Sequence, residues 1–316
     1  LAFEEFDLAP GIREFLARSE AAYPLNATEL SLAEQRACYD ALCRSFAEDR
    51  PAGVSVEELS APAGGRAVPL RLYRPAGVER PPVLLYCHGG GWVLGGLDSH
   101  DAVVAELVAG AGCAAVSVDY RLAPEHRWPA QIDDAWTALT WLADAAESLG
   151  LDGGRIAVAG DSAGGQLAAA LALKARAAAA PRLVGQVLIY PALGLEFAEP
   201  QRAPAPDGPG LTHADMAAYH LQLFGATVPR DALAHPLLAG DLANLPPAVI
   251  VAAEYDPLRD DAAVYAERLA AAGVPVEHRC FAGLIHGCLR ARHMSPAAGA
   301  MFAQLVAGTR RLFAAA

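Results

Sequence analysis

At 316 residues, 54% apolar and 19% charged, the chain can bury a large core, and its low charged fraction argues against disorder. A net charge of −12 repels phosphate backbones and anionic lipid surfaces, which excludes nucleic acid as a partner and favours a neutral substrate. Six scattered cysteines without a CxxC pair read as reduced thiols, the acidic start carries no signal-peptide pattern, and the longest apolar stretch is interrupted by Glu106, so a cytoplasmic protein without membrane insertion is expected.

Residues 1–50 read as mostly helical. Pro10 is placed in the first turn of a helix, and Ser31 with Glu34 three residues on fits a capping box. Val54–Leu59 and Val68–Tyr73 are predicted strands, the second alternating apolar and polar residues as a half-buried antiparallel strand does. From Val83 the pattern changes to short continuous apolar runs: Val83–Cys87, Ala114–Val118, Arg155–Ala159, Val184–Tyr190, Ala248–Ala253 and Val274–Cys280. Between them lie the predicted helices Asp98–Gly110, Gln131–Leu149, Ser162–Ala180, Leu258–Ala272 and Pro296–Ala315. Strands buried on both faces and joined by helical crossovers imply an α/β fold with a doubly wound, mostly parallel sheet.

One segment breaks this rhythm. Glu196–Gly210 is rich in Pro, Ala and Gly, and Thr212–Phe224 then reads as a capped helix. Inserts that follow strand ends in such sheets lie over the ligand crevice. The chain therefore divides into an N-terminal helical cap segment (1–50), a first part of the α/β core (51–194), a cap insert (195–226) and a second part of the core (227–316).

The run Gly160-Asp161-Ser162-Ala163-Gly164 has the G-x-S-x-G form of a nucleophile elbow, with a buried strand entering and a helix leaving. A serine that only caps a helix would not need glycines on both sides. His88-Gly89-Gly90-Gly91-Trp92 follows another buried strand, and its triple glycine leaves backbone N–H groups free for a developing oxyanion. The N–H of Ala163 is the expected second donor source. Trp92 either lines the pocket or packs in the core. A serine nucleophile needs a base and an acid to orient it. Asp256 and His286 both lie beyond strand C-terminal ends, where a doubly wound sheet places ligands. Glu254, Asp260 and Asp261 are rival acids, the last two assigned to a first helical turn; His278 and His293 are rival bases.

With these residues in view, the sequence resembles the bacterial hormone-sensitive-lipase-like carboxylesterase family of the α/β-hydrolase superfamily. The resemblance runs from about Pro69 onward and is carried by His88–Trp92, Asp119-Tyr-Arg-Leu-Ala-Pro-Glu125, Gly160–Gly165, Asp256-Pro-Leu-Arg-Asp260 and Ile285-His-Gly287. It implies an α/β-hydrolase fold with an α-helical cap and a Ser162–His286–Asp256 triad. It also implies an oxyanion hole from the N–H groups of Gly90, Gly91 and Ala163, with Gly89 shaping the loop. His88 and Asp161, inside the two signatures, count as supporting residues, as does Glu125, expected near the elbow. Three departures stand out: Cys288 where Phe is usual, Ala282 where Pro is common, and His235 where Ser is frequent. Cys288 could widen the space beside His286 or leave a thiol there.

The expected reaction is hydrolysis of short- to medium-chain carboxylic esters through an acyl-enzyme, with no metal or organic cofactor. The insert is short of large apolar side chains, which favours small soluble esters over lipid droplets. An amidase or deacetylase would use the same triad, whereas a non-catalytic small-molecule binding protein would be expected to carry a damaged one. The edge strand near Val274–Cys280 is a candidate for pairing with a second copy as a homodimer.

Overall fold

The structure is a computed structural model that describes residues 3–316. Its eight strands are β1 (Val54–Pro62), β2 (Ala67–Pro75), β3 (Pro82–Cys87), β4 (Ala114–Val118), β5 (Asp152–Asp161), β6 (Leu183–Ile189), β7 (Ala248–Tyr255) and β8 (Val276–Ile285). They form one sheet in the order β1-β2-β4-β3-β5-β6-β7-β8. β2 pairs antiparallel with both β1 and β4, and every other pairing is parallel. The helices are α1 (Ile12–Ala22), α2 (Leu32–Ser45), α3 (Asp101–Ala111), α4 (Ala130–Ala145), α5 (Ala163–Ala178), the single turn α6 (Leu195–Ala198), α7 (His213–Phe224), α8 (Arg259–Ala271) and α9 (Pro296–Ala314).

Why the central strands lack a polar side follows from their packing. Along β3, Val83, Leu85 and Cys87 join the core beneath α4, α5 and α8, whereas Leu84 and Tyr86 join the core beneath α1, α3 and α9. β7 divides the same way, with Ile250 on the first face and Val249 and Val251 on the second. Period-two side-chain alternation between two covered faces gives the continuous apolar runs seen in the sequence. No helix among the described residues is long and apolar enough to cross a membrane.

Among the boundaries that differ from the sequence reading, three have a clear local reason. α1 starts at Ile12, with Gly11 as its cap at φ 86°, so Pro10 lies just outside the helix. The chain passes the Met294 carbonyl at Gly11, and a side chain there would collide with it. β8 continues to Ile285, past Ala282 and Gly283, which look like a turn in sequence. Glu254 accepts the Gly283 N–H at 2.7 Å, and the β7–β8 register shifts between Ala253 and Tyr255, so the strand absorbs an irregularity instead of ending. The stretch predicted as one helix from Asp98 splits into a 3₁₀ turn, Asp98–His100, followed by α3.

The helices above the C-terminal ends of the strands are held by local and cross-segment bonds. Ser31 and Glu34 form the expected capping box on α2, and Thr212 with Asp215 forms another on α7. Tyr23, after α1, meets Tyr219 of α7 hydroxyl to hydroxyl at 3.0 Å, and Thr28 donates to Asp215 at 3.2 Å. The N-terminal segment and the insert are thereby joined over the sheet.

Candidate active site

Ser162 stands between the end of β5 and the start of α5. Its backbone, φ 54° and ψ −119°, is sparsely populated for a residue with a side chain and costs on the order of 1–3 kcal/mol. The neighbouring turn makes that conformation fit. A Cβ on Gly164 would run into the Cys87 carbonyl and one on Gly160 into the Gly164 carbonyl, so the elbow closes only with glycine at both. The Ser162 N–H is held by the Ile189 carbonyl at 2.9 Å, which fixes the turn to β6.

Two later loops converge on that hydroxyl. His286 Nε2 lies 2.9 Å from Ser162 Oγ, and His286 Nδ1 lies 2.7 Å from Asp256 Oδ2. With Nδ1–H donating to the carboxylate, Nε2 is left to accept the serine proton. Asp256 is 1% exposed, and its Oδ1 accepts the Leu258 N–H at 2.8 Å, which fixes the carboxylate's orientation. The rivals are engaged elsewhere. Glu254 holds Gly283, Asp260 pairs with Arg259 at 2.9 Å, and Asp261 accepts the N–H groups of Leu193, Gly194 and Leu195. Burial pushes the Asp261 pKa up to about 7 against those three bonds. His278 is exposed on β8, and His293 pairs with Glu106 at 3.0 Å.

The glycine loop faces the same point. Gly90 and Gly91 have φ of 124° and 60°, in the region that favours glycine. The Gly89 N–H is consumed by Asp161 Oδ1 at 2.9 Å, so Gly89 shapes the loop and is not a free donor. Among the described residues the N–H groups of Gly90 and Gly91 have no acceptor, and Ala163 opens α5, where an N–H has no intrahelical partner. Gly90, Gly91, Ser162 and His286 line a cavity of about 550 Å³, roofed by residues such as Phe15, Tyr23 and Tyr219.

The supporting residues separate into two groups. Asp161 is a buried node: it accepts from Tyr86 Oη at 2.8 Å and from the Gly89 N–H, and meets His100 Nε2 at 3.2 Å. Burial alone would raise its pKa, but the field and hydrogen bond of His100, with Arg290 and Tyr86, hold it well below the usual carboxylate range. His88 stacks on Tyr120 at 4.2 Å between centroids, with Nδ1 2.9 Å from the Gly89 carbonyl. Burial, aided by His100, pushes its pKa down to about 4, so it is neutral at pH 7. Glu125 is different. Its half-exposed carboxylate pairs with Arg36 of α2 at 2.7 and 2.8 Å, and no hydrogen bond joins it to the elbow. Arg36 also donates to the Val93 and Ala123 carbonyls, so this pair fastens α2 to the glycine loop.

Trp92 both lines the cavity and packs: it is 3% exposed, and its Nε1–H donates to Gln166 at 2.9 Å. Cys288 neither widens the site nor offers it a thiol. It is fully buried, does not border the cavity, and lies 3.9 Å from the Met301 sulfur. Sequence reasoning missed Arg36, Tyr86, His100, Tyr190 and Arg290, which sit outside the recognisable motifs. Among the described residues, no group of three or more His, Cys, Asp or Glu side chains is placed to hold a metal ion.

Comparison with known proteins agrees with this fold. A family model described as alpha/beta hydrolase fold matches residues 84–290. The carboxylesterase NlhH of Mycobacterium tuberculosis is 44% identical over 249 residues, which cover 77% of this chain and 78% of that protein. The ethyl acetate hydrolase of Pseudomonas putida is 42% identical over 236 residues, covering 72% of this chain and 73% of that one. A thermostable esterase from Pseudomonas putida ECU1011, solved as a crystal structure, superposes with a TM-score of 0.88 at 34% identity, covering 96% of this chain and 98% of the other.

Proposed function

The chain belongs to the hormone-sensitive-lipase-like carboxylesterases of the α/β-hydrolase superfamily and is a carboxylic ester hydrolase, and on that premise we propose that it works by two-step acyl transfer from Ser162. The observation that carries this reading is the continuous relay from Asp256 through His286 to Ser162, at 2.7 and 2.9 Å. His286 Nε2 takes the serine proton as Oγ attacks the ester carbonyl. Asp256 keeps the required tautomer and stabilises the imidazolium. The N–H groups of Gly90, Gly91 and Ala163 receive the oxyanion, and each such donor typically contributes about 10²–10³ in rate. His286 then protonates the departing alcohol, and water repeats the sequence on the acyl-enzyme.

The substrates we propose are short- to medium-chain soluble esters. A cavity of about 550 Å³ with a roof of cap residues supports this size range, and the name of the ethyl acetate hydrolase relative points the same way. Ser162→Ala is expected to abolish turnover of a short p-nitrophenyl ester while circular dichroism stays unchanged. A fluorophosphonate should add one label to the wild type and none to the variant by intact mass. Near-normal turnover by a folded Ser162→Ala protein would remove Ser162 as the nucleophile.

A further inference from the structure

Of the three glycines in the loop, Gly91 is the least restrained by its own backbone. Gly89 is held through its N–H by Asp161, and the Gly90 carbonyl accepts the N–H groups of Val93 and Leu94. Among the described residues, neither the N–H nor the carbonyl of Gly91 has a hydrogen-bond partner. Arg36 reaches this region only at the Val93 and Ala123 carbonyls, beyond the Gly91 peptide. A glycine peptide without bonds turns readily, because glycine populates both signs of φ. An oxyanion donor, in contrast, contributes only if it is aimed before the charge develops. Something other than the backbone must therefore set the direction of this N–H.

The ring of Tyr219 lies against it. A Cβ built on Gly91 would stand 2.6 Å from two ring atoms of Tyr219 and 2.9 Å from a third, so the ring rests directly on the Gly91 Cα. Tyr219 belongs to α7, in the insert, and is buried. Its own position is fixed from another part of the chain. Its hydroxyl meets that of Tyr23, after α1, at 3.0 Å, and the Tyr23 ring stands edge-on to Tyr39 of α2 with 6.1 Å between centroids. Thr28 bonds Asp215, which also closes the capping box of α7, so the helix that carries Tyr219 is tied at a second point. Three cap segments thus converge on one ring, and that ring bears on one glycine.

We propose that Tyr219 is a positioning residue for the oxyanion hole: its ring aims the Gly91 N–H, and Tyr23 holds the ring in place. The hole is then complete only while the N-terminal segment and the insert are docked on each other. This rests on the acyl-transfer reading above and goes beyond it, because it makes one of the oxyanion donors depend on the cap. The oxyanion exists only after Ser162 has attacked, so the loss of Tyr219 should appear in kcat and much less in KM.

The test combines p-nitrophenyl acetate kinetics with inhibition by butyl trifluoromethyl ketone. That ketone adds to Ser162: the Oγ–C bond forms, the carbonyl π pair moves onto oxygen as an oxyanion, and His286 takes the serine proton. Tyr219→Leu is expected to lower kcat about 100-fold, the cost of a donor misplaced by about 1 Å. The inhibition constant of the ketone should weaken by the same factor as kcat/KM. Inhibition by the matching secondary alcohol, which forms no oxyanion, should stay as in the wild type. Tyr219→Phe keeps the ring and should lose only about three- to fivefold, the range of one neutral hydrogen bond. Tyr23→Phe removes the other end of the same bond, so it should cost the same and the double variant no more than either. These two keep the test decisive if Tyr219→Leu does not fold. A folded Tyr219→Leu protein with wild-type kcat, equal weakening of ketone and alcohol, or losses that multiply in the double Phe variant would overturn the proposal. A wild type that neither turns over the ester nor binds the ketone would instead overturn the catalytic reading itself.

Discussion

Asp161 sits one residue before Ser162 and holds three elements at once: β3 through Tyr86, the glycine loop through Gly89, and the turn before α3 through His100. A carboxylate can accept from all three donors, whereas an amide's single carbonyl oxygen serves fewer. Asp161→Asn is therefore expected to destabilise the fold by roughly 1–3 kcal/mol for each donor left unmatched. The pH dependence has a definite sign. The folded pKa of Asp161 is depressed, so its stabilisation is present above the unfolded value near 3.9 and is lost as pH falls toward the folded value. Urea unfolding at pH 7 and pH 3 should show a larger loss between the two for the wild type than for the variant. An equal loss in both would mean that Asp161 carries no linkage. At this scale the sequence reveals what lies in short motifs. Ser162, Asp256 and His286 each occupy a loop beyond a strand and are legible there. Arg290 is not, because its partners Tyr39 and Cys43 lie far away in the chain.

The glycine loop depends on an element that approaches it from far away in the chain. α2 starts at the Ser31 cap, and Arg36 one turn later reaches the Val93 and Ala123 carbonyls as well as Glu125. Val93 and Leu94 in turn donate to the Gly90 carbonyl, so α2 steadies the segment that carries the Gly90 and Gly91 N–H groups. Arg36→Ala is expected to lower kcat/KM about tenfold, within the range of lost charge-assisted hydrogen bonds, and to speed hydrogen exchange at 93 and 94. Glu125→Gln should do less, since the two carbonyl contacts survive. Unchanged exchange in Arg36→Ala would separate α2 from the loop. The capping box that starts α2 is written locally as Ser31 and Glu34 and was legible; its docking is not, because no periodicity encodes which loop a helix will cover. The same contrast explains the boundaries. The central strands are legible from their unbroken apolar runs, whereas Gly283 looks like a strand end and is held inside β8 by Glu254 of the neighbouring strand β7.

At the scale of the whole molecule, one sheet with both faces covered leaves β1 and β8 as its edges. β1 is antiparallel to β2, but β8 continues the parallel half, and its exposed stretch His278–Cys280 lies at the rim. An uncovered edge presents unpaired N–H and C=O groups, which proteins either pair with another strand or guard with charge. Arg279 is exposed there and lies over the Phe281 ring at 4.4 Å, while Glu277 is engaged by Arg311 of α9. Ala9 donates its N–H to the Gly283 carbonyl and covers the far end of β8, so only the stretch around 276–280 is left to one exposed arginine. Antiparallel pairing of two β8 strands about a two-fold axis would join the sheets of two copies without covering either catalytic cavity, which is lined by loops beyond the strand ends. The expected outcome is a homodimer: light scattering should give a mass near twice 32.9 kDa. The outward N–H groups of residues 276–280 should then exchange slowly at high protein concentration and faster on dilution. A mass of one chain with rapid exchange along β8 would show instead that Arg279 is sufficient to keep the edge open.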